Sequence, residues 1–230
     1  MKKVVVANWK ANLSPAHADE WIRIFSARYQ PRPDIEVVLA VPFLILEQAA
    51  VKVKELPGLS LAAQGVSPYP SGSYTGATPA SWLQGMVEYA LLGHRERRKH
   101  FHETVQDIAA QVRECVSAGI KPILCLGDEG LSDMRAALDG RELTAVIPAY
   151  TPEEAVALER AREITGIQEG IARVSGYFRD RPVLYGGGVD AENSRAILAL
   201  PEVSGIMLGR GCLDPEGFVQ IGNREQTTFS

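Results

Sequence analysis

The sequence has 230 residues, of which 46% are hydrophobic and 23% are charged, and its formal net charge is −4. This composition is typical of a globular protein with a sizeable core, and it excludes collagen-like, disordered and disulfide-scaffold proteins. Because acidic side chains outnumber basic ones, the overall charge favours neither nucleic acid nor a membrane surface as a partner. The length is compatible with one large domain or with two small ones.

The cysteines and the start of the chain indicate a cellular compartment. Cys115, Cys125 and Cys212 are widely spaced and form no C-x-x-C pair, which favours free thiols in a reducing compartment. The apolar run Val4–Ala7 is shorter than the apolar core of a signal peptide. No stretch reaches the roughly 18 apolar residues of a membrane span. We therefore expect a cytoplasmic protein that does not interact with membranes.

Eight short apolar runs with helical stretches between them predict a parallel sheet. The predicted strands, in chain order, are Val4–Ala7, Glu36–Val41, Leu59–Ala63, Tyr89–Leu92, Pro122–Leu126, Ala145–Ala149, Pro182–Tyr185 and Gly205–Leu208. Most of these runs are uniformly apolar, as is typical of strands that are covered on both faces. Helices are predicted to begin where a capping residue precedes a proline, at Ser14-Pro15, Thr78-Pro79, Thr151-Pro152 and Asp214-Pro215.

The alternation of strands and helices continues through the whole chain and indicates parallel strands joined by crossover helices. Eight such units close naturally into a (β/α)8 barrel, the TIM-barrel architecture, and an open doubly wound sheet is the alternative. No linker or low-complexity tract divides the chain, so we predict a single domain over residues 1–230. Between Asp128 and Thr144 only 15 residues connect the fifth and sixth strands, close to the roughly one dozen that a crossover needs.

In a barrel of this kind the active site lies where the strands end. Asn8 and Lys10 follow the first strand, two residues apart, and point the same way if the strand continues. His94 follows the fourth strand, a suitable place for a neutral electrophile or an acid–base group. Each residue also has an ordinary interpretation, because Lys10 could be a surface charge and the run after His94 could be a charged helix start.

Glycines follow the last two strands, in Tyr185–Val189 and in Leu208–Gly211. Glycines at such places let backbone N–H groups approach an anion, and barrel enzymes commonly bind phosphate there. Together the two clusters favour a small phosphorylated substrate, although either could be a tight turn. Arg210 would add positive charge or form a salt bridge elsewhere. We predict no metal site, since the i, i+2 spacing of His100 and His102 places them on opposite sides.

Several segments, in the same order along nearly the whole chain, resemble the triosephosphate isomerase family. They are Asn8–Asn12, Ala63-Gln64 with Ser67–Tyr69, Ser71–Gly76, Leu92–His94 with Glu96–Arg98, Pro122–Gly127, Tyr185–Gly187 and Leu213–Phe218. The resemblance implies a TIM barrel that interconverts glyceraldehyde 3-phosphate and dihydroxyacetone phosphate, or a close sugar-phosphate relative, through an enediolate. It also implies that no cofactor is needed and that the reaction belongs to glycolysis and gluconeogenesis.

The resemblance further implies a role for individual residues. Lys10 would meet the phosphate and the developing enolate charge, with Asn8 orienting nearby groups. His94 would polarise the carbonyl as a neutral imidazole, and Glu96 would pair with Lys10. The phosphate would be held by the backbone amides of Gly187, Gly188 and Gly209, with Arg210 beside them.

The segment Gln64–Pro79 resembles the loop by which two subunits of the family interlock, and Thr75 would reach toward the neighbouring active site. A homodimer is therefore expected from the resemblance. Two of the glycine-loop positions depart from the family pattern: Gly188 stands where the family has a serine, and Arg210 replaces one of two glycines.

The largest departure concerns the catalytic base. The family abstracts a proton with a Glu directly after the sixth strand, and Thr151 holds that position here. The next stretch lacks the glycines of the family's lid and is typical of a helix capped by Thr151, with Glu154 at the capping-box spacing. We predict that Glu153 replaces the base, with Glu154 as the alternative. A weak or inactive member that binds a phosphate metabolite or a partner protein is the alternative function.

Overall fold

The structure is a computed structural model that describes residues 2–179 and 181–223. Its strands are β1 Lys3–Asn8, β2 Ile35–Val41, β3 Leu59–Ala63, β4 Tyr89–Leu92, β5 Lys121–Leu126, β6 Ile147–Tyr150, β7 Val183–Tyr185 and β8 Val203–Leu208. They form a closed barrel in which every strand is parallel to its neighbours and β8 pairs with β1. The predicted (β/α)8 barrel is confirmed and the open sheet is excluded. That residues 1–230 form one domain stays a prediction.

Helices surround the barrel: α1 Pro15–Arg28, α2 Phe43–Val53, α3 Arg95–His100, α4 Val105–Ser117, α5 Leu131–Ala137, α6 Gly140–Ala145, α7 Glu153–Leu158, α8 Ile164–Tyr177, α9 Ser194–Leu198 and α10 Pro215–Gly222. Ser14 caps α1 and Asp214 caps α10, each followed by its proline, as the sequence predicts. The pair Thr78-Pro79 leads only to a 3-10 turn, Ala80–Leu83. None of these helices combines the length and apolar character needed to cross a bilayer.

The strands are uniformly apolar because both of their faces are buried, one in the barrel interior and the other under the helices. One set of strand side chains fills the barrel interior, including Val6, Leu91, Ile123, Leu184 and Met207. The alternate set faces outward and packs under the helices. Because successive side chains of a strand point to opposite faces, burial of both faces removes the polar alternation of a half-exposed strand.

The connection between β5 and β6 consists of the two short helices α5 and α6. The predicted sixth strand began too early, because Ala145 ends α6 and β6 begins at Ile147. Helix α6 is fixed by a capping box between Asp139 and Glu142. The buried Glu142 carboxylate also lies 3.0 Å from the Arg113 guanidinium. At the other end of α6 the Val146 N–H donates to the Glu142 carbonyl, so the helix reaches into the apolar run that the sequence pattern assigns to the strand.

Candidate active site

A cavity of about 230 Å³ lies at the carboxyl ends of the strands. Among the predicted site residues, those that line it are Asn8, Lys10, His94, Gly188, Gly209 and Arg210. They follow four strands, β1, β4, β7 and β8, which the closed barrel brings to one end. Glu96, Glu153, Gly187 and Thr75 lie outside this lining.

Lys10 is held in an unusual backbone conformation just after β1. Its φ of +51° lies in the left-handed region, which costs a non-glycine residue roughly 1–3 kcal/mol and persists only with support. The support comes from the Lys10 N–H, which donates to Asn8 Oδ1 at 3.1 Å, and from Gln64 Nε2, which donates to the Lys10 carbonyl at 3.0 Å. This arrangement directs the ammonium group into the cavity, where Lys10 Nζ lies 2.6 Å from Glu96 Oε1.

His94 caps the short helix α3 with its own ring. Nδ1 of His94 accepts the Glu96 backbone N–H at 3.3 Å, so the proton of the neutral imidazole is on Nε2, the nitrogen left for a ligand. The pKa of His94 is lowered to about 4, chiefly by burial and also by the Lys10 ammonium, against the opposing effect of Glu96. The imidazole is therefore neutral at pH 7 and can donate a hydrogen bond without carrying charge.

Two glycine loops and an ion pair also line the cavity. Gly188 follows β7, and Gly209 and Gly211 follow β8. Arg210 Nη2 lies 2.6 Å from Glu159 Oε2, and both residues line the cavity. Sequence reasoning missed Glu159, because it follows a helix and not a strand. Its left-handed φ of +51° at the end of α7 is not signalled by a glycine or an asparagine.

Thr151 occupies the position of the family's base, and its hydroxyl is already engaged. The Thr151 side chain is fully buried, and its hydroxyl donates to the Leu126 carbonyl at 3.2 Å. Its backbone N–H donates to the same oxygen at 2.7 Å. The prediction that Thr151 caps the following helix is wrong, because α7 has Pro152 at its N-cap and no side-chain cap. The buried carbonyl of β5 captures the hydroxyl that would otherwise cap the helix.

Both glutamates of the first turn of α7 point to arginines outside the cavity lining. Glu153 lies 3.6 Å from Arg98 and 3.9 Å from Arg95, both of α3, and these distances exceed those of hydrogen bonds. Glu154 accepts a hydrogen bond from Arg162 Nε at 2.7 Å. Glu153 is thus loosely paired and Glu154 firmly paired.

The segment from α7 to Arg162 is seated on the loop that follows β7. A Cβ placed on Gly188 would lie 2.2 Å from the carbonyl carbon of Arg160, so the two backbones are in direct contact. The Arg162 N–H donates to the Tyr185 hydroxyl at 3.1 Å, and its guanidinium binds Asp128 at 2.8 Å. Glycine at position 188 is what allows this approach, and a serine there would have no room.

Comparisons with known proteins agree with this geometry. The family model described as "Triosephosphate isomerase" matches residues 3–225. A triosephosphate isomerase of Synechococcus sp. (strain JA-3-3Ab) is 31% identical over 255 residues, which cover 99% of this chain and 97% of that relative. A triosephosphate isomerase of Paracidovorax citrulli (strain AAC00-1) is 32% identical over 248 residues, covering 96% of this chain and 97% of the relative.

Proposed function

The chain belongs to the triosephosphate isomerase family, and on this basis we propose that it interconverts glyceraldehyde 3-phosphate and dihydroxyacetone phosphate. The observation that supports this most is the convergence of Lys10 and a neutral His94 on one small cavity. The glycine loops after β7 and β8 supply backbone N–H groups for a phosphate at the same cavity.

Lys10 and His94 supply the electrophilic half of the reaction. Removing a proton from the carbon beside the carbonyl gives an enediolate, whose negative charge develops on oxygen. Lys10 Nζ stabilises that charge, and the Nε2–H of His94 donates to the carbonyl oxygen and passes a proton between the two oxygens, as is known for this family. Glu96 holds both groups in place, since its carboxylate binds Lys10 and its backbone N–H binds His94.

For the carbon proton we retain Glu153 as the proposed base. Its carboxylate follows Thr151 by two residues and makes only long ion pairs with Arg95 and Arg98. To act, it has to leave those arginines and turn into the cavity. Glu154 is less suited, because its hydrogen bond to Arg162 ties it to the far side of the segment.

A coupled assay of triose phosphate interconversion tests both parts of the proposal. We expect His94→Gln to lower kcat by roughly 10²–10⁴-fold, the usual contribution of a positioned acid–base group. Glu153→Ala should lower kcat by a similar factor, whereas Glu154→Ala, the matched control one residue away, should retain most of it. Full activity in Glu153→Ala would remove Glu153 as the base, and no turnover by the wild type would reject the isomerase.

A phosphate-metabolite-binding protein without turnover is the second candidate function. Two observations favour it: the Thr151 hydroxyl is bound to the Leu126 carbonyl, and α7 is followed by a segment seated against Gly188. This candidate predicts binding of a triose phosphate analogue with no isomerisation, so the same assay, combined with a binding measurement, separates the two functions.

We further propose a homodimer built on the segment Gln64–Pro79. Tyr69 and Tyr74 of this segment are exposed, and their rings stack at a centroid distance of 4.5 Å. Thr75 is exposed beside them. An exposed aromatic pair next to the active-site end of the barrel is suited to burial against a second copy. A cytoplasmic location is also proposed, because the three cysteines are free and buried, which fits a reducing compartment.

A further inference from the structure

The ion pair between Glu159 and Arg210 lies at the end of the cavity where the proposed phosphate subsite is. Arg210 Nη2 is 2.6 Å from Glu159 Oε2, and both side chains line the cavity together with Gly188 and Gly209. A guanidinium matches a phosphate through two parallel hydrogen bonds. The carboxylate of Glu159 therefore binds the same guanidinium N–H donors of Arg210 that a phosphate would use.

The backbone keeps Glu159 at this place. Glu159 has a left-handed φ of +51° at the end of α7. The next residue, Arg160, is in contact with the backbone of Gly188, where a Cβ would lie 2.2 Å from its carbonyl carbon. Arg162 then fixes the segment by donating its N–H to the Tyr185 hydroxyl at 3.1 Å. The Glu159 side chain can rotate, but its backbone is held beside the phosphate subsite.

The other charged groups at the cavity are already committed. Lys10 Nζ binds Glu96 at 2.6 Å. Asp190 Oδ1 accepts two backbone N–H groups of the following turn, at 2.9 and 3.0 Å. Among the cavity-lining residues that the structure describes, the two cations are Lys10, whose Nζ would lie 3.7 Å from a Cβ placed on Gly209, and Arg210, which Glu159 neutralises.

We propose that Glu159 competes with the phosphate of the ligand for Arg210 and so sets the phosphate affinity of the site. The Arg210 side chain is 78% exposed and that of Glu159 is 41% exposed, and such solvated ion pairs exchange at little cost. An entering phosphate displaces the Glu159 carboxylate from the Arg210 guanidinium, and the carboxylate turns to solvent. Ground-state binding is weakened in this way, which favours product release over tight binding. This inference rests on the phosphate subsite of the proposed function.

Isothermal titration with inorganic phosphate at low ionic strength tests the competition without requiring turnover. Glu159→Gln should bind phosphate about tenfold more tightly than the wild type, because the Arg210 guanidinium then has no carboxylate partner and is free to bind the anion. Arg210→Gln should bind it about tenfold more weakly. Glu169→Gln, on the exposed face of α8 and outside the cavity lining, removes the same charge and should leave phosphate affinity unchanged.

The double variant Glu159→Gln with Arg210→Gln decides whether Glu159 acts through Arg210. If it does, the tenfold gain disappears when Arg210 is absent. A gain that persists in full without Arg210, or a Glu159→Gln protein that binds phosphate no more tightly than Glu169→Gln, overturns the inference. If the single and double variants show the expected phosphate affinities but the wild type has no isomerase turnover, only the proposed isomerase is rejected. Turnover with no effect of Glu159→Gln on phosphate affinity rejects only this inference. Circular dichroism checks that each variant is folded.

Discussion

At the scale of single residues, the two ring nitrogens of His94 have different surroundings. Nδ1 accepts the Glu96 N–H at 3.3 Å, and the ring is buried close to Lys10, Arg95 and Arg98. Burial and these three cations all disfavour a positive charge on the imidazole. The contact that occupies Nδ1 therefore lies in the same buried, cation-rich surroundings that keep the ring neutral.

We expect His94 to titrate with a pKa of about 4, well below the ordinary value of 6.5. As the pH falls from 6.5 to 4, the unfolded state takes up a proton that the folded state does not. The contribution of the neutral His94 to the free energy of unfolding, about 3 kcal/mol, is therefore fully present above pH 6.5 and is lost as the pH falls toward 4. A ¹⁵N-detected NMR titration, with His94→Gln to assign the signal, measures the pKa directly. A midpoint at 6.5 or above would contradict the expectation.

The sequence predicts those site residues that directly follow strands. Asn8, Lys10 and His94 reach one cavity because parallel strands of a closed barrel end on the same side. Glu159 could not be found in this way, since it follows a helix and its position depends on how the next residues pack on Gly188. The pairing of Glu153 with the arginines of α3 is likewise a tertiary contact with no local signal.

At the scale of elements, strand positions were predictable and helix starts were less so. The apolar runs mark the strands because both faces of each are buried. Thr151-Pro152 has the same sequence pattern as Ser14-Pro15, yet only Ser14 caps its helix. The difference is that the Thr151 hydroxyl donates to the buried carbonyl of Leu126, which also accepts the Thr151 backbone N–H. A buried acceptor nearby thus overrides a local capping preference.

The contact between the segment after α7 and the loop after β7 gives a prediction at this scale. Gly188→Ser should destabilise the fold by about 2–4 kcal/mol, because backbone atoms occupy the space of the new Cβ and the φ of +59° strains a serine. Hydrogen exchange should rise in residues 153–162, and denaturant unfolding gives the free energy. Gly176→Ser, in α8 with open space around its Cβ position, is the control and should change little. An unperturbed Gly188→Ser protein would show that the segment moves freely.

At the scale of the whole molecule, barrel closure joins the first and last parts of the chain into one site. Strand β8 pairs with β1, with Ala7 opposite Leu208. A Cβ placed on Gly209 would lie 3.4 Å from Lys10 Cε. Lys10, the proposed catalytic residue, and the proposed phosphate subsite therefore become neighbours only when the barrel closes. Eight strand–helix units predict this closure from the sequence, whereas the width of the resulting cavity depends on side chains from several strands.

The same end of the barrel provides the test of the dimer. Tyr74 lies in the segment Gln64–Pro79 and is 43% exposed, and Tyr177 lies on α8 and is 41% exposed. We expect Tyr74→Asp to convert a dimer into a monomer, because a carboxylate cannot be buried unpaired in an interface. Tyr177→Asp makes the same change at equal exposure and should remain dimeric. Light scattering after size-exclusion chromatography measures the mass. A wild-type monomer would reject the homodimer, and a dimeric Tyr74→Asp protein would move the interface away from this segment.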